Sequence, residues 1–214
     1  TDGTVLPWDD DRPKDHATRL VDPDLEDQMA TPYPAGGDWA GPPPEGHDPG
    51  RVRHEGLFRG IYGADRAAVA KHLVTVPWLP KTAGKLVRVT SVGRVHERVK
   101  AISDELDRLP AQLRRFVAEP SSFHWRTIKG TDRLSAHSFG IAIDVGVKHA
   151  NYWRWDLRKG MKGVPPWRNR FPMEIVEIFE RHGFIWGGKW SHYDTMHFEY
   201  RPELLHPLCV GGPR

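Results

Sequence analysis

Leu134–Gly146, LSAHSFGIAIDVG, holds a histidine, a glycine and an alternating apolar run that reaches an aspartate. From Gly140 onward the residues alternate as in a strand, with Ile141, Ile143 and Val145 on one face and Ala142, Asp144 and Gly146 on the other. The branched face belongs to a core. The second face sets a carboxylate among small neighbours, which leaves room for something bulky beside it. His137 sits just before the strand, in a turn of the kind that Ser135, Ser138 and Gly140 support. Two readings are open from these residues alone. Either Asp144 pairs with an arginine while His137 caps a turn, or the two belong to a metal site.

The surrounding pattern sets the fold class. Lys85–Val92, KLVRVTSV, reads as a strand with Val87, Val89 and Ser91 on its core face. Val95, Val99, Ile102 and Leu106 then recur at helical spacing, and Pro110 is expected to close that helix. A short helix follows in AQLRRFVAE (111–119). Another is expected in FPMEIVEIFERHG (171–183), with Pro172 in its first turn, Ile175, Val176 and Phe179 on one face, and Gly183 as its stop. FIWGG (184–188) and MHFEY (196–200) look like short strands. Helices and strands mix without regular alternation, which predicts an α+β fold with a small, mainly antiparallel sheet flanked by helices.

A chain of 214 residues with 38% hydrophobic content suits one core with appendages. Residues 1–50 are rich in proline, glycine and acids and are expected to form an extended arm docked on the domain, or a linker; a cell-wall targeting role is also open. Trp8, Tyr33 and Trp39 favour docking. Residues 51–214 form the expected globular domain. The 31 basic and 28 acidic residues are interspersed, and no basic stripe or reading module points to nucleic acid. No apolar run has the length of a membrane span. The lone Cys209 can join neither an internal disulfide nor a multi-cysteine zinc cluster. Oligomeric state is not encoded in any motif.

A second dense group lies near the carboxyl end, in WGGKWSHYDTMHFEY (186–200). Met196, Phe198 and Tyr200 would face one way on a strand, with His197 and Glu199 facing the other. Two histidines and one carboxylate with an open fourth position form the pattern of a catalytic zinc site.

Ser135, His137, Gly140, Ala142 and Asp144 fit S-x-H-x-x-G-x-A-x-D, and Asp194 and His197 fit a later D/E-x-x-H. In these motifs the chain resembles the LAS-group zinc peptidases, in the D-alanyl-D-alanine metallopeptidase branch that includes VanX, VanY and the L-alanyl-D-glutamate peptidase endolysins. The resemblance covers roughly Phe123 to Leu205. Lysostaphin-like enzymes carry H-x-H at the second motif; Thr195 stands there in this chain. The resemblance implies a hedgehog/DD-peptidase-like fold, Zn2+ held by His137, Asp144 and His197, and Asp194 as catalytic base. It also implies a peptidoglycan peptide stem as substrate and a periplasmic or secreted chain with its signal peptide removed. An aspartate as base favours an L-alanyl-D-glutamate endopeptidase, with a D-alanyl-D-alanine carboxypeptidase or dipeptidase as alternative. A non-catalytic, zinc-containing wall-binding module is the reading from another class.

The chemistry agrees with the implied roles. A zinc ion with three protein ligands keeps a position for water and lowers that water's pKa towards about 7, and an anionic carboxylate can take its proton. Arg126 is a candidate donor to the developing oxyanion, or else a surface cation paired with an acid such as Asp132. Ser135 either bonds substrate or fixes the turn. Trp186 and Trp190 are candidate substrate-binding walls of the cleft, or core. Glu199 could orient a ligand, or be solvated on a half-exposed strand. His192 is read as a substrate-side or surface residue, and His124, His149 and His182 as structural.

Overall fold

The computed structural model describes residues 3–158, 161 and 163–206; Cys209 lies outside them. The segment before residue 50 is not simply extended. It carries two short helices, α1 (His16–Val21) and α2 (Leu25–Met29), whose first turns are capped by the carboxylates of Asp15 and Asp24. Helices α3 (Glu55–Tyr62) and α4 (Arg66–Ala70) lead into a hairpin of β1 (Leu73–Trp78) and β2 (Lys85–Thr90). Val87 and Val89 of β2 are buried, as their alternation predicts. The strand ends two residues earlier than expected because the N–H of Thr90 turns away to the carbonyl of Gly140.

Helix α5 (Val95–Leu106) buries Val95, Val99, Ile102 and Leu106 against β1 and β2. Pro110 does not close it. The helix stops at Leu106, where the next residue, Asp107, accepts the Lys81 N–H and the Thr82 hydroxyl, and Pro110 instead opens α6 (Ala111–Arg114). Strands β3 (Pro120–Ser121) and β4 (Ala142–Val145) follow, then α7 (Trp153–Asp156), α8 (Met173–Arg181), β5 (Phe184–Trp186) and β6 (His197–Tyr200). The last four strands form one antiparallel sheet in the order β3-β4-β6-β5. The class is α+β with small antiparallel sheets.

The core lies between this sheet and α8 with α5. Ile143 and Val145 are fully buried, and Phe198 of β6 stacks on Phe179 of α8 with ring centroids 3.8 Å apart. The segment ahead of α3 is tied to the far end of the chain. Tyr33 is buried and donates its hydroxyl to Glu180 at 2.5 Å, while the wholly buried Lys189 reaches Glu180 and the carbonyls of Pro34 and Gly36. Trp39 packs edge-on against Trp186, whereas Trp8 is exposed.

Candidate metal centre

Register places the first two side chains. Strands β4 and β6 pair so that Asp144 lies directly opposite His197, which brings their side chains to the same face. His137 comes from the short 3-10 turn Ala136–Phe139 ahead of β4. Gly140 ends that turn with φ of 68°, and a Cβ there would stand 2.8 Å from Leu73 and 3.0 Å from the backbone of Thr90. The turn is fixed on its other side by Ser138, whose hydroxyl donates to the carbonyl of Arg126 (2.9 Å) and accepts its N–H (3.0 Å). The same bonds bring Arg126 alongside the histidine turn.

Three donor atoms converge. His137 Nε2 lies 3.1 Å from Asp144 Oδ1 and 3.3 Å from His197 Nδ1, and the latter lies 2.9 Å from the same Oδ1. Donors about 2.0–2.1 Å from a tetrahedral zinc stand roughly 3.3 Å apart, so the spacing fits such an ion with little adjustment. The other ring nitrogens are already committed. His137 Nδ1 lies 2.8 Å from the Ser122 carbonyl and His197 Nε2 lies 3.1 Å from Glu199 Oε2; both partners can only accept, so each of these nitrogens carries its proton. The other nitrogen of each ring is the one that can offer a lone pair to an ion once it is free of a proton. A cation is the group this donor set lacks, and the residues fit one.

The cluster opens into a cavity of about 110 Å³ lined also by Asp194, Arg126, Ser135, Tyr152 and Trp190. Asp194 Oδ1 is buried and accepts no hydrogen bond among the described residues. Its backbone N–H bonds the carbonyl of Gly187, where an added Cβ would stand 2.6 Å from the Asp194 carbonyl oxygen, so only glycine allows this approach. Arg126 makes no ion pair among the described residues, with Asp132 or any other acid. Trp190 packs its ring 5.5 Å from that of His197 and donates to the Pro49 carbonyl.

Residues 129–200 match the model of a family described as D-alanyl-D-alanine carboxypeptidase. Over this segment the chain is similar to that family of peptidases. The peptidoglycan L-alanyl-D-glutamate endopeptidase CwlK of Bacillus subtilis (strain 168) is 32% identical over 73 residues, which cover 32% of this chain. The chain spans 41% of the length of that curated relative. No solved structure matches the chain. The three converging donors and Asp194 fall inside the matched segment, whereas Arg126 lies just before it.

The other side chains singled out in the sequence fall partly at the cavity and partly away from it. Trp186 is not a cleft wall: its ring is fully buried among Trp39, Phe171 and Phe198, because β5 turns it to the core side, and its indole N–H donates to the Thr195 carbonyl. Glu199 is not solvated. It lies fully buried between His197, Arg53 (3.1 Å) and Arg201 (3.0 Å), opposite Ala142, whose small side chain leaves room for the carboxylate. His192 is half-buried and bonds Asp48 at 2.6 Å, away from the cavity lining. His182 pairs with Glu105, and His149 packs on Phe116. Arg51, Arg53, Lys129, Arg133 and Tyr152 line the cavity but carry no motif spacing in the sequence. The only local hint of the four cations is the density of basic residues at 51–53 and 126–133, and nothing local marks Tyr152.

The charges of the cluster shift one another's titration. Burial would raise the Asp144 pKa, yet the two histidines outweigh it and hold this carboxylate well below its usual range. Burial would lower that of His197, but hydrogen bonds to Asp144 and Glu199 push it up to about 10. The metal-free protein therefore keeps a proton on His197 from its ordinary pKa of about 6.5 up to about 10, and a metal must displace that proton. Metal uptake at pH 8 is expected to release close to one proton from this ring, with affinity rising about tenfold per pH unit across that range. Calorimetric titration in buffers of different ionisation enthalpy checks this; uptake with no proton release would overturn it. Asp194 is raised to about 6 by burial and by the charge of Asp144, so it is anionic at neutral pH and close to the pKa of an efficient base.

Proposed function

We propose that the chain is a zinc-dependent peptidase that hydrolyses an amide bond in the peptide stem of peptidoglycan, with residues 51–214 as the catalytic domain. The observation that carries this reading is the convergence of His137, Asp144 and His197 on one point in a cavity that also holds Asp194 and Arg126. A structural metal site needs neither an unpartnered carboxylate nor a free guanidinium beside it.

His137, Asp144 and His197 would hold the ion. When bound, it supplies Lewis acidity, acidifying a water and polarising the scissile carbonyl. Asp194 accepts the proton as the water oxygen bonds to the carbonyl carbon, and it returns that proton to the amine nitrogen as the C–N bond breaks. Arg126 donates hydrogen bonds to the carbonyl oxygen as negative charge gathers there. Tyr152 remains protonated as a further donor, since burial and the charge of Asp194 raise its pKa. Glu199 holds the imidazole of His197 in place.

Similarity to CwlK, named as an L-alanyl-D-glutamate endopeptidase, favours cleavage within the stem. The match to a carboxypeptidase family supports removal of a terminal D-alanine as the second reading. A wall substrate would place the protein outside the cytoplasmic membrane, in the periplasm or secreted; among the described residues no helix is long and apolar enough to cross a membrane. Digestion of isolated peptidoglycan by the zinc-loaded chain, followed by mass spectrometry, is the test. New amino termini at D-glutamate are expected, whereas loss of only terminal D-alanine would select the carboxypeptidase. No cleavage, with wall binding retained equally by Asp194→Ala, would overturn the enzymatic reading in favour of a binding module.

A further inference from the structure

The cavity beside the donor cluster is unusually basic. Arg51, Arg53, Arg126, Lys129 and Arg133 line it, against the two carboxylates Asp144 and Asp194. Arg53 is engaged by the buried Glu199. The other four cations form no ion pair among the described residues. Like charges crowded into a half-buried space repel one another and are poorly hydrated, which is a cost unless an anion comes to sit among them.

Two of these guanidiniums are held in place by bonds that leave their charge unmatched. Arg133 donates Nη1 to the carbonyl of Arg51 at 2.9 Å, while its Nε is buried without an acceptor. Arg51 lies over the ring of Trp190, 5.4 Å from the centroid, and its Nη1 is 3.5 Å from the His192 carbonyl. Trp190 in turn packs against His197. The pair thus sits on the rim of the metal centre, on a platform of its own. Burial and the neighbouring Arg53 and Arg51 lower the Arg133 pKa to about 10, which leaves it charged at neutral pH but in a strained electrostatic setting that an anion would relieve. Both residues are rigidly mounted: Glu55 accepts the N–H of Leu134, next to Arg133, and the chain after Arg51 is anchored by Arg53 on Glu199.

We propose that Arg51 and Arg133 form a carboxylate subsite, which selects peptides whose residue on the amine side of the scissile bond carries a free α-carboxylate. The inference rests on the peptidase reading above. A planar guanidinium pair suits a carboxylate and gains nothing comparable from a neutral carboxamide. The α-carbon bearing the leaving nitrogen also bears this carboxylate, both in a γ-linked glutamyl residue and in a terminal alanine. One subsite therefore serves either cleavage. Arg51 lies outside the matched segment 129–200, so the subsite joins that segment to the part of the chain preceding it.

The experiment uses the zinc-loaded full chain and two synthetic stem peptides that differ only in a free α-carboxylate or an α-carboxamide on the glutamyl residue after the scissile bond. The free acid is expected to be cleaved with kcat/KM about 10- to 100-fold higher. Arg51→Gln and Arg133→Gln should each shrink that preference to a few-fold, by slowing only the free-acid peptide, and Arg51→Lys should restore part of it. Equal cleavage of both peptides by the parent, or a preference unchanged in the variants, would overturn the subsite. Binding of the same peptides, followed by Trp190 fluorescence, separates this failure from failure of the peptidase reading. Arg51-dependent preference for the free acid without any cleavage would uphold the subsite and overturn the activity; equal binding of both would overturn the subsite whatever the activity. Retained thermal melting of each variant shows that the losses are local.

Discussion

Asp194→Asn is expected to lower kcat/KM on a stem peptide by about 10³-fold or more while the protein still binds one metal ion. The side chain is not among the converging donors, so metal content should be unchanged. What is lost is the acceptor of the water's proton, and an amide of nearly the same shape cannot replace it. Positioned acid–base groups contribute typically 10²–10⁴-fold, and this one serves both the attack and the departure of the amine. The acid limb of the pH profile reports the same group. With its pKa raised to about 6 in the metal-free protein, and with a bound dication able only to lower it, activity should fall as pH drops through a midpoint no higher than about 6. Steady-state kinetics with metal analysis on the same samples checks both statements. A midpoint above 7, or loss of metal in the asparagine variant, would remove Asp194 from this role.

Glu199→Gln should produce the largest loss of stability in the site. The carboxylate is fully buried and meets Arg53, Arg201 and His197. Burial raises its pKa, but those cationic neighbours prevail and keep it well below the usual carboxylate range. Its folded pKa is depressed, so its stabilising contribution is present above the unfolded value and disappears as pH falls below it. Neutralising it leaves two buried guanidiniums short of their counter-charge, a change that costs about 3–5 kcal/mol and lowers the melting temperature by on the order of 10 °C. The carboxylate also fixes the ring of His197, so metal affinity should drop about 10- to 100-fold. Melting at pH 7 and at acid pH, with metal titration, gives the comparison. A variant that melts like the parent at pH 7 would show that the cluster is solvated.

Much of the site could be read from the chain because two short motifs carry it. The alternation of Ile141, Ile143 and Val145 gave a strand, and the odd residue of the opposite face, Asp144, marked where that strand met something polar. The pairing of Asp144 with His197 could not be read: they are far apart in sequence, and only strand register sets them opposite. Glu199 stays between two readings, orienting a ligand or solvated, for a related reason. Alternation says that it shares a face with His197, but not that Arg53 and Arg201 close over that face. Trp186 is ambiguous in the other direction, since an aromatic beside glycines suits a cleft wall as well as a core until its neighbours are known, and its neighbours make it core.

By itself the sequence determined the α+β class and the core faces of the central strand and main helices, which depend on local periodicity, while the three donor side chains and Asp194 entered only as what the resemblance of two short motifs implies. Only the tertiary structure decided that Glu199 braces His197 from within the core, that Trp186 is packing, and that Arg51 and Arg53 from the leading segment join Arg133 around the cavity. Such contacts depend on which distant residues share a buried space, where the cost of an unpaired charge sets the partners.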